Sequence, residues 1–227
     1  MSTYLTVTAH PDDEALGFGA SSYVLSQKGN KIYNCILSGN VDARQHRPEV
    51  DELDKDTCKA QEVMGAESPI LGDFPNIKFN TVPHLELVQF IENIIEKIQP
   101  DYIFTHHPSD LNDDHLCVSR ACQAAARLFQ RRKDIKPIKG LYFMEILSST
   151  DWAFPTNVSP FLPNTFIEVG EAAVEKKIES LMAYKGVMRD FPHPRSIEVL
   201  KGLAALRGGQ SGKVYAEAFQ AVFQIIE

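Results

Sequence analysis

Apolar and polar positions along the chain follow two rhythms. Short β-branched or aromatic runs read as strands: Tyr4–Thr8 (YLTVT), Ile32–Leu37 (IYNCIL), Tyr102–Thr105 (YIFT), Gly140–Glu145 and Thr165–Val169, with Pro69–Leu71 as a further short one. Longer segments between them read as helices: Glu14–Gly29, Val50–Met64 closed by Gly65, Val82–Ile98, Asp113–Phe129, Glu171–Tyr184 and Ser196–Leu206. Within the third of these, Leu85, Val88, Ile91, Ile94, Ile95 and Ile98 fall at helical spacing. Strands alternating with helices predict an α/β fold in three layers, a mostly parallel sheet with helices on both faces. In such a sheet ligands bind just beyond the carboxyl ends of the strands.

Composition narrows this picture. The 227 residues suffice for one sizeable core and fall short of two ordinary domains, so residues 1–227 read as a single domain. With 44% hydrophobic and 23% charged residues the chain has the make-up of a globular protein. A net charge of -7 argues against a nucleic-acid partner, which calls for a basic surplus. No window approaches the roughly 18 apolar residues of a membrane segment. Residues 1–9 lack the basic start and apolar run of a secretory leader, so the expected location is cytoplasmic. Cys35, Cys58, Cys117 and Cys122 form no CxxC pair and read as free thiols in a reducing compartment.

Two polar clusters change the reading from fold to chemistry, because each follows a predicted strand. Ala9-His10-Pro11-Asp12-Asp13-Glu14 follows YLTVT. Adjacent carboxylates repel unless a cation or a proton separates their roles. His10 and Asp13, three apart, could share one ion while Asp12 points elsewhere, and imidazole with carboxylate suits zinc or a similar transition metal. An Asp here could instead cap the following helix, which explains one carboxylate and not the set. His106-His107-Pro108-Ser109-Asp110-Leu111-Asn112-Asp113-Asp114-His115 follows YIFT, with Asn112 or Asp113 as a helix cap and His115 in the first turn.

These residues resemble the LmbE-like deacetylases, also called the PIG-L family. AHPDDE after the first strand and H-P-x-D-x-N-x-D-H opening a later helix carry the resemblance. His193-Pro194-Arg195-Ser196, Leu203 to Gly208 and Tyr215-Ala216-Glu217-Ala218-Phe219 extend it over nearly the whole chain. It implies a Rossmann-like fold with one zinc held by His10, Asp13 and His115, water in the open position, and Asp12 as general base. It also implies an N-acyl amino sugar or sugar conjugate as substrate and a homo-oligomer as a common state. Many members carry a further His three residues before the last ligand, where this chain has Asn112. Asn112 then supplies a neutral hydrogen bond, or His107 or His193 takes over the work of that histidine. Asp114 or Asp110 would orient a ligating imidazole.

Arg44 and Arg47 follow the second strand, and Arg47, just before a helix, is the preferred substrate contact. Arg195 could meet substrate or a neighbouring subunit. Gly17-Phe18-Gly19 reads as helix packing, and Gly208 to Lys213 fails the register of a phosphate loop. Two other readings compete: an amidohydrolase of a non-sugar substrate, and a non-catalytic sugar- or nucleotide-binding protein with a structural metal. A structural site needs four closed ligands and no spare base, which disfavours the latter.

Overall fold

The computed structural model describes residues 1–41, 49–154 and 159–226. Seven strands form one sheet: β1 (Thr3–Thr8), β2 (Lys31–Ile36), β3 (Ile70–Leu71), β4 (Tyr102–His106), β5 (Gly140–Met144), β6 (Thr165–Glu168) and β7 (Ala216–Gln224). Their order is β3-β2-β1-β4-β5-β7-β6. β1 to β5 run parallel, and β7 is antiparallel to both β5 and β6. The helices are α1 (Asp13–Gln27), α2 (Val50–Met64), α3 (His84–Ile98), α4 (Asp113–Ala125), α5 (Leu128–Arg131), α6 (Gly170–Ala183) and α7 (Ile197–Ser211).

Alternation within each strand divides the core in two. Leu5, Val7, Ile103 and Leu141 pack with α3 and α4, whereas Phe104, Tyr142, Met144 and Phe219 pack with α1, α2, α6 and α7. Helices thus cover both faces, as the alternation predicts. Gly65 closes α2 with φ 68°, the left-handed cap that glycine adopts without strain.

Helix α1 is buried almost all round, which explains its glycines. A Cβ on Gly17 would lie 2.7 Å from Ile146 Cδ1, so the helix rides directly on the sheet there. Lys177 of α6 and Glu217 of β7 brace its middle. Lys177 Nζ donates to the Leu16 carbonyl (2.5 Å) and to Glu217 Oε1 (2.7 Å), while Glu217 accepts the backbone amides of Ala20 and Ser21.

Two elements depart from the sequence reading. The helix expected over 113–129 ends at Ala125, because Arg127 (φ -85°, ψ 9°) leaves helical geometry before the short α5. Strand β7 was absent from the reading; its run AEAFQAVFQ carries the buried Glu217, which hides the strand pattern.

Strands β1 and β4 are neighbours, and the order reverses between them: β2 and β3 lie beyond β1, and β5 beyond β4. That is the switch point where an open α/β sheet leaves a crevice at its carboxyl edge. Both polar clusters open there.

Candidate metal and catalytic centre

The first cluster is a tight turn between β1 and α1. The Asp13 amide donates to the His10 carbonyl (3.2 Å), and the His10 amide donates to Asp13 Oδ2 (2.9 Å). Asp12 sits between them with φ 106°, a conformation that costs a non-glycine residue on the order of 1–3 kcal/mol. Its amide donates to Glu14 Oε2 (3.1 Å), whose other oxygen takes the Tyr184 hydroxyl (2.5 Å) and the Gln61 amide (3.1 Å). Burial, with Asp12 and Asp13 nearby, pushes the Glu14 carboxyl up to about 7. The strained turn makes the adjacent carboxylates diverge: Asp13 meets His10 and His115, and Asp12 meets Arg195.

His10 Nδ1, Asp13 Oδ2 and His115 Nε2 form a nearly equilateral triangle. Its edges are 3.3 Å (His10 to Asp13), 3.2 Å (His115 to Asp13) and 3.3 Å (His115 to His10). Tetrahedral ligands about 2.0 Å from a zinc ion are separated by about 3.3 Å, so the three atoms fit one face of such a site. Electrostatics agree. Burial alone would lower the His115 imidazole, yet Asp13 and Asp110 outweigh it and lift the group to about 10. Burial alone would raise the Asp13 carboxyl, yet His115 and the hydrogen bonds from both histidines hold it well below the usual range. The cluster therefore calls for positive charge at its centre, which a proton or a cation can supply.

Each imidazole of the triangle has a carboxylate at its other nitrogen. Asp114 Oδ2 lies 2.9 Å from His10 Nε2 and accepts the Ile77 amide (2.7 Å), while its Oδ1 accepts the Phe79 amide (2.9 Å). Asp110 Oδ2 lies 3.1 Å from His115 Nδ1 and accepts the Thr150 hydroxyl (2.8 Å); its Oδ1 accepts the Ser149 hydroxyl and the Asn112 amide. Such partners fix tautomer and ring orientation and raise ligand basicity. His106 stacks on His115 with centroids 3.8 Å apart. Its Nε2 accepts the Ala9 amide, and burial followed by the His115 charge pushes it down to about 3, so it is neutral.

A cleft of about 270 Å³ opens over the triangle, lined by Asp12, Ile77, Asn112, Ser148 and Arg195 among others. Asn112 caps α4 with its Oδ1 on the Asp114 amide (2.9 Å). Arg195 spans the cleft wall: Nη1 donates to Asp12 Oδ2 (3.0 Å) and Nε donates to Ser148 Oγ (2.9 Å).

The structure thus brings together His10, Asp12, Asp13, Asn112, Asp114 and His115. It does not bring His107 to the cleft. His106 faces His115, and the next side chain turns the other way, so the His107 ring packs edge-on against Phe143 and Phe161, 5.3 and 5.6 Å away. His193 is exposed outside the cleft, its Nδ1 accepting the Arg195 amide. Arg44 and Arg47 lie outside the described residues. The contact of Arg195 with Asp12 escaped the sequence reading, which offered Asp114 or Asp110 as alternatives where the structure places one on each imidazole, Asp114 on His10 and Asp110 on His115. HPRS was visible as a motif, but nothing local named its partner.

Comparisons with known proteins sharpen the assignment. The chain is 27% identical over 189 residues to the uncharacterized deacetylase YaiS of Escherichia coli K12, covering 80% of this chain and 89% of the relative. Its fold matches N,N'-diacetylchitobiose deacetylase from Pyrococcus horikoshii with TM-score 0.76 and 16% identity, over 97% of this chain and 84% of that one. It matches GalB, the 4-carboxy-2-hydroxymuconate hydratase of Pseudomonas putida KT2440, equally well: TM-score 0.76, 19% identity, 100% of this chain and 98% of that one. One scaffold therefore carries more than one reaction, and the fold does not choose among them. The sequence does choose a family, since residues 5–126 match the PIG-L profile, described as GlcNAc-PI de-N-acetylase. The chain, with its HPDD turn and the histidine of α4 inside that match, belongs to the PIG-L family of deacetylases.

Proposed function

We propose that this chain is a zinc-dependent amidohydrolase that removes the acetyl group from the nitrogen of an N-acetyl amino sugar or its conjugate, working as a single domain over residues 1–227. The observation that carries the reading is the triangle of His10, Asp13 and His115 with the carboxylate of Asp12 beside it. The family description supports an N-acetylated sugar, as does the sugar substrate in the name of the Pyrococcus neighbour.

His10, Asp13 and His115 would hold the ion. When bound, it lowers the pKa of water toward 7 and polarises a carbonyl oxygen. The chain's own groups do the rest. Asp12 takes the proton from the water whose oxygen bonds to the amide carbon. The C–N bond then breaks, and the same proton passes from Asp12 to the departing nitrogen, leaving acetate and a free amine. Arg195 keeps the Asp12 carboxylate aimed. Asn112, whose oxygen is committed to Asp114, offers its amide hydrogens as a neutral donor to substrate, in the position where many relatives place a histidine. Asp114 and Asp110 hold the two ligating imidazoles.

The test is purification without chelator, metal analysis, and measurement of acetate released from N-acetylglucosamine and its nucleotide and lipid conjugates. Bound zinc with acetate release from at least one of these is the expected result. A metal-loaded protein inert toward all of them would refute the amino-sugar substrate, and a protein that takes up no metal would refute the hydrolase.

A further inference from the structure

Three of the four non-glycine residues with positive φ among the described residues line the cleft: Asp12 (106°), Ile77 (56°) and Ser148 (71°). The fourth, Gln99, caps α3. Strained backbone gathers where a side chain must be held for a purpose. Asp12 and Ser148 both present oxygen atoms to Arg195. Ile77 is different. A β-branched residue is among the least suited to left-handed backbone, and this one is 50% exposed in a cleft where only it and the buried Val41 are apolar among the described lining residues. Its amide is fixed on Asp114 Oδ2, the oxygen that also faces His10 Nε2. One carboxylate oxygen therefore ties Ile77 to an imidazole of the triangle.

An N-acyl amino sugar has two chemically unlike halves. Its hydroxyl-bearing amine suits a lining of Asp, Asn, Ser and Arg. Its alkyl chain suits the apolar stretch. We propose that Ile77, with Val41, is the wall that meets the alkyl part of the acyl group and sets the acyl length accepted; this rests on the N-acyl hydrolase reading above.

The test uses the full-length zinc-loaded protein and its Ile77→Gly and Ile77→Val variants. Free amine is measured from N-acetyl-, N-propionyl- and N-butyrylglucosamine. Shortening the wall raises the butyryl-to-acetyl ratio of kcat/KM by about tenfold in Ile77→Gly, with Ile77→Val between, as expected when methylenes gain room. Metal-free Ile77→Gly melts at or above the wild-type temperature, because glycine adopts this φ without strain. A melting point several degrees lower makes Ile77 a packing residue and overturns the proposal, as does an unchanged ratio with the wild type active. Calorimetric binding of acetate and butyrate to the zinc-loaded proteins gives an arm that needs no turnover. Wild type favours acetate and Ile77→Gly loses that preference. If no glucosamine derivative is hydrolysed and this preference still moves, the amino-sugar substrate falls and the acyl wall stands. If the preference does not move, the wall falls.

Discussion

Arg195 Nη1 donates to Asp12 Oδ2 at 3.0 Å, joining the turn after β1 to a loop 183 residues later. The same guanidinium donates to Ser148 Oγ, so it is held on both sides. Arg195→Ala should lower kcat about 10- to 100-fold, the size expected for a lost charge-assisted hydrogen bond, with KM changed much less. Zinc content should stay at the wild-type level, and added guanidinium should restore part of the rate. A variant whose KM rises while kcat holds would mean that Arg195 grips substrate and leaves Asp12 alone.

Asp12→Ala removes the proposed proton acceptor and spares the triangle. Turnover should fall by about 10²- to 10⁴-fold, the usual contribution of a general base. Metal analysis decides the assignment: loss of zinc would show that Asp12 and Asp13 have exchanged roles.

Asp114→Asn tests the support behind His10. The amide keeps the shape and loses the charge beside the His10 imidazole, so, if His10 holds the ion as proposed, zinc affinity should drop by about 10- to 100-fold in competition with a chelator. Unchanged affinity would make Asp114 merely a clamp for the Ile77 and Phe79 amides.

The two histidines of the triangle also set a pH signature. The pKa of His115 is lifted to about 10, and that of His10 is raised by its hydrogen bonds to Asp114 and Asp13 in spite of burial. A group raised on folding lends stability that is complete below its unfolded pKa, about 6.5, and vanishes as pH climbs through the folded value. The metal-free protein should therefore lose thermal stability between about pH 6.5 and 10. The zinc-loaded protein, in which the cation replaces the proton, should lose much less over that interval. Melting curves with and without chelator across this range check it; parallel curves would count against the site.

What could be read from the sequence follows from how local each feature is. His10 and Asp13 share a turn at a strand end, so spacing alone picks them out, whereas His115, in the first turn of a later helix, is named as their partner through the resemblance of its motif. His107 stands nearest in sequence to the position where many relatives carry a further histidine, yet alternation along the strand turns its ring to Phe143 and Phe161, a parity that composition does not reveal. Arg195 and Ile77 depend on tertiary contacts that no spacing encodes. The role of Lys177 was hidden for a similar reason: a lysine in a helical stretch reads as a solvated charge, yet it lies buried between Leu16 and Glu217.

That brace has a consequence for where the family profile stops. The matched segment ends at residue 126 and already contains every atom of the triangle. The side chains that keep helix α1 in place and aim Asp12, namely Lys177, Arg195 and Glu217, come afterwards. A chain cut after the match would keep the triangle with Asp110 and Asp114 behind its imidazoles and lose the side chains that brace α1 and meet Asp12, so the second half of this protein is as much a part of the site as the motif that reveals it.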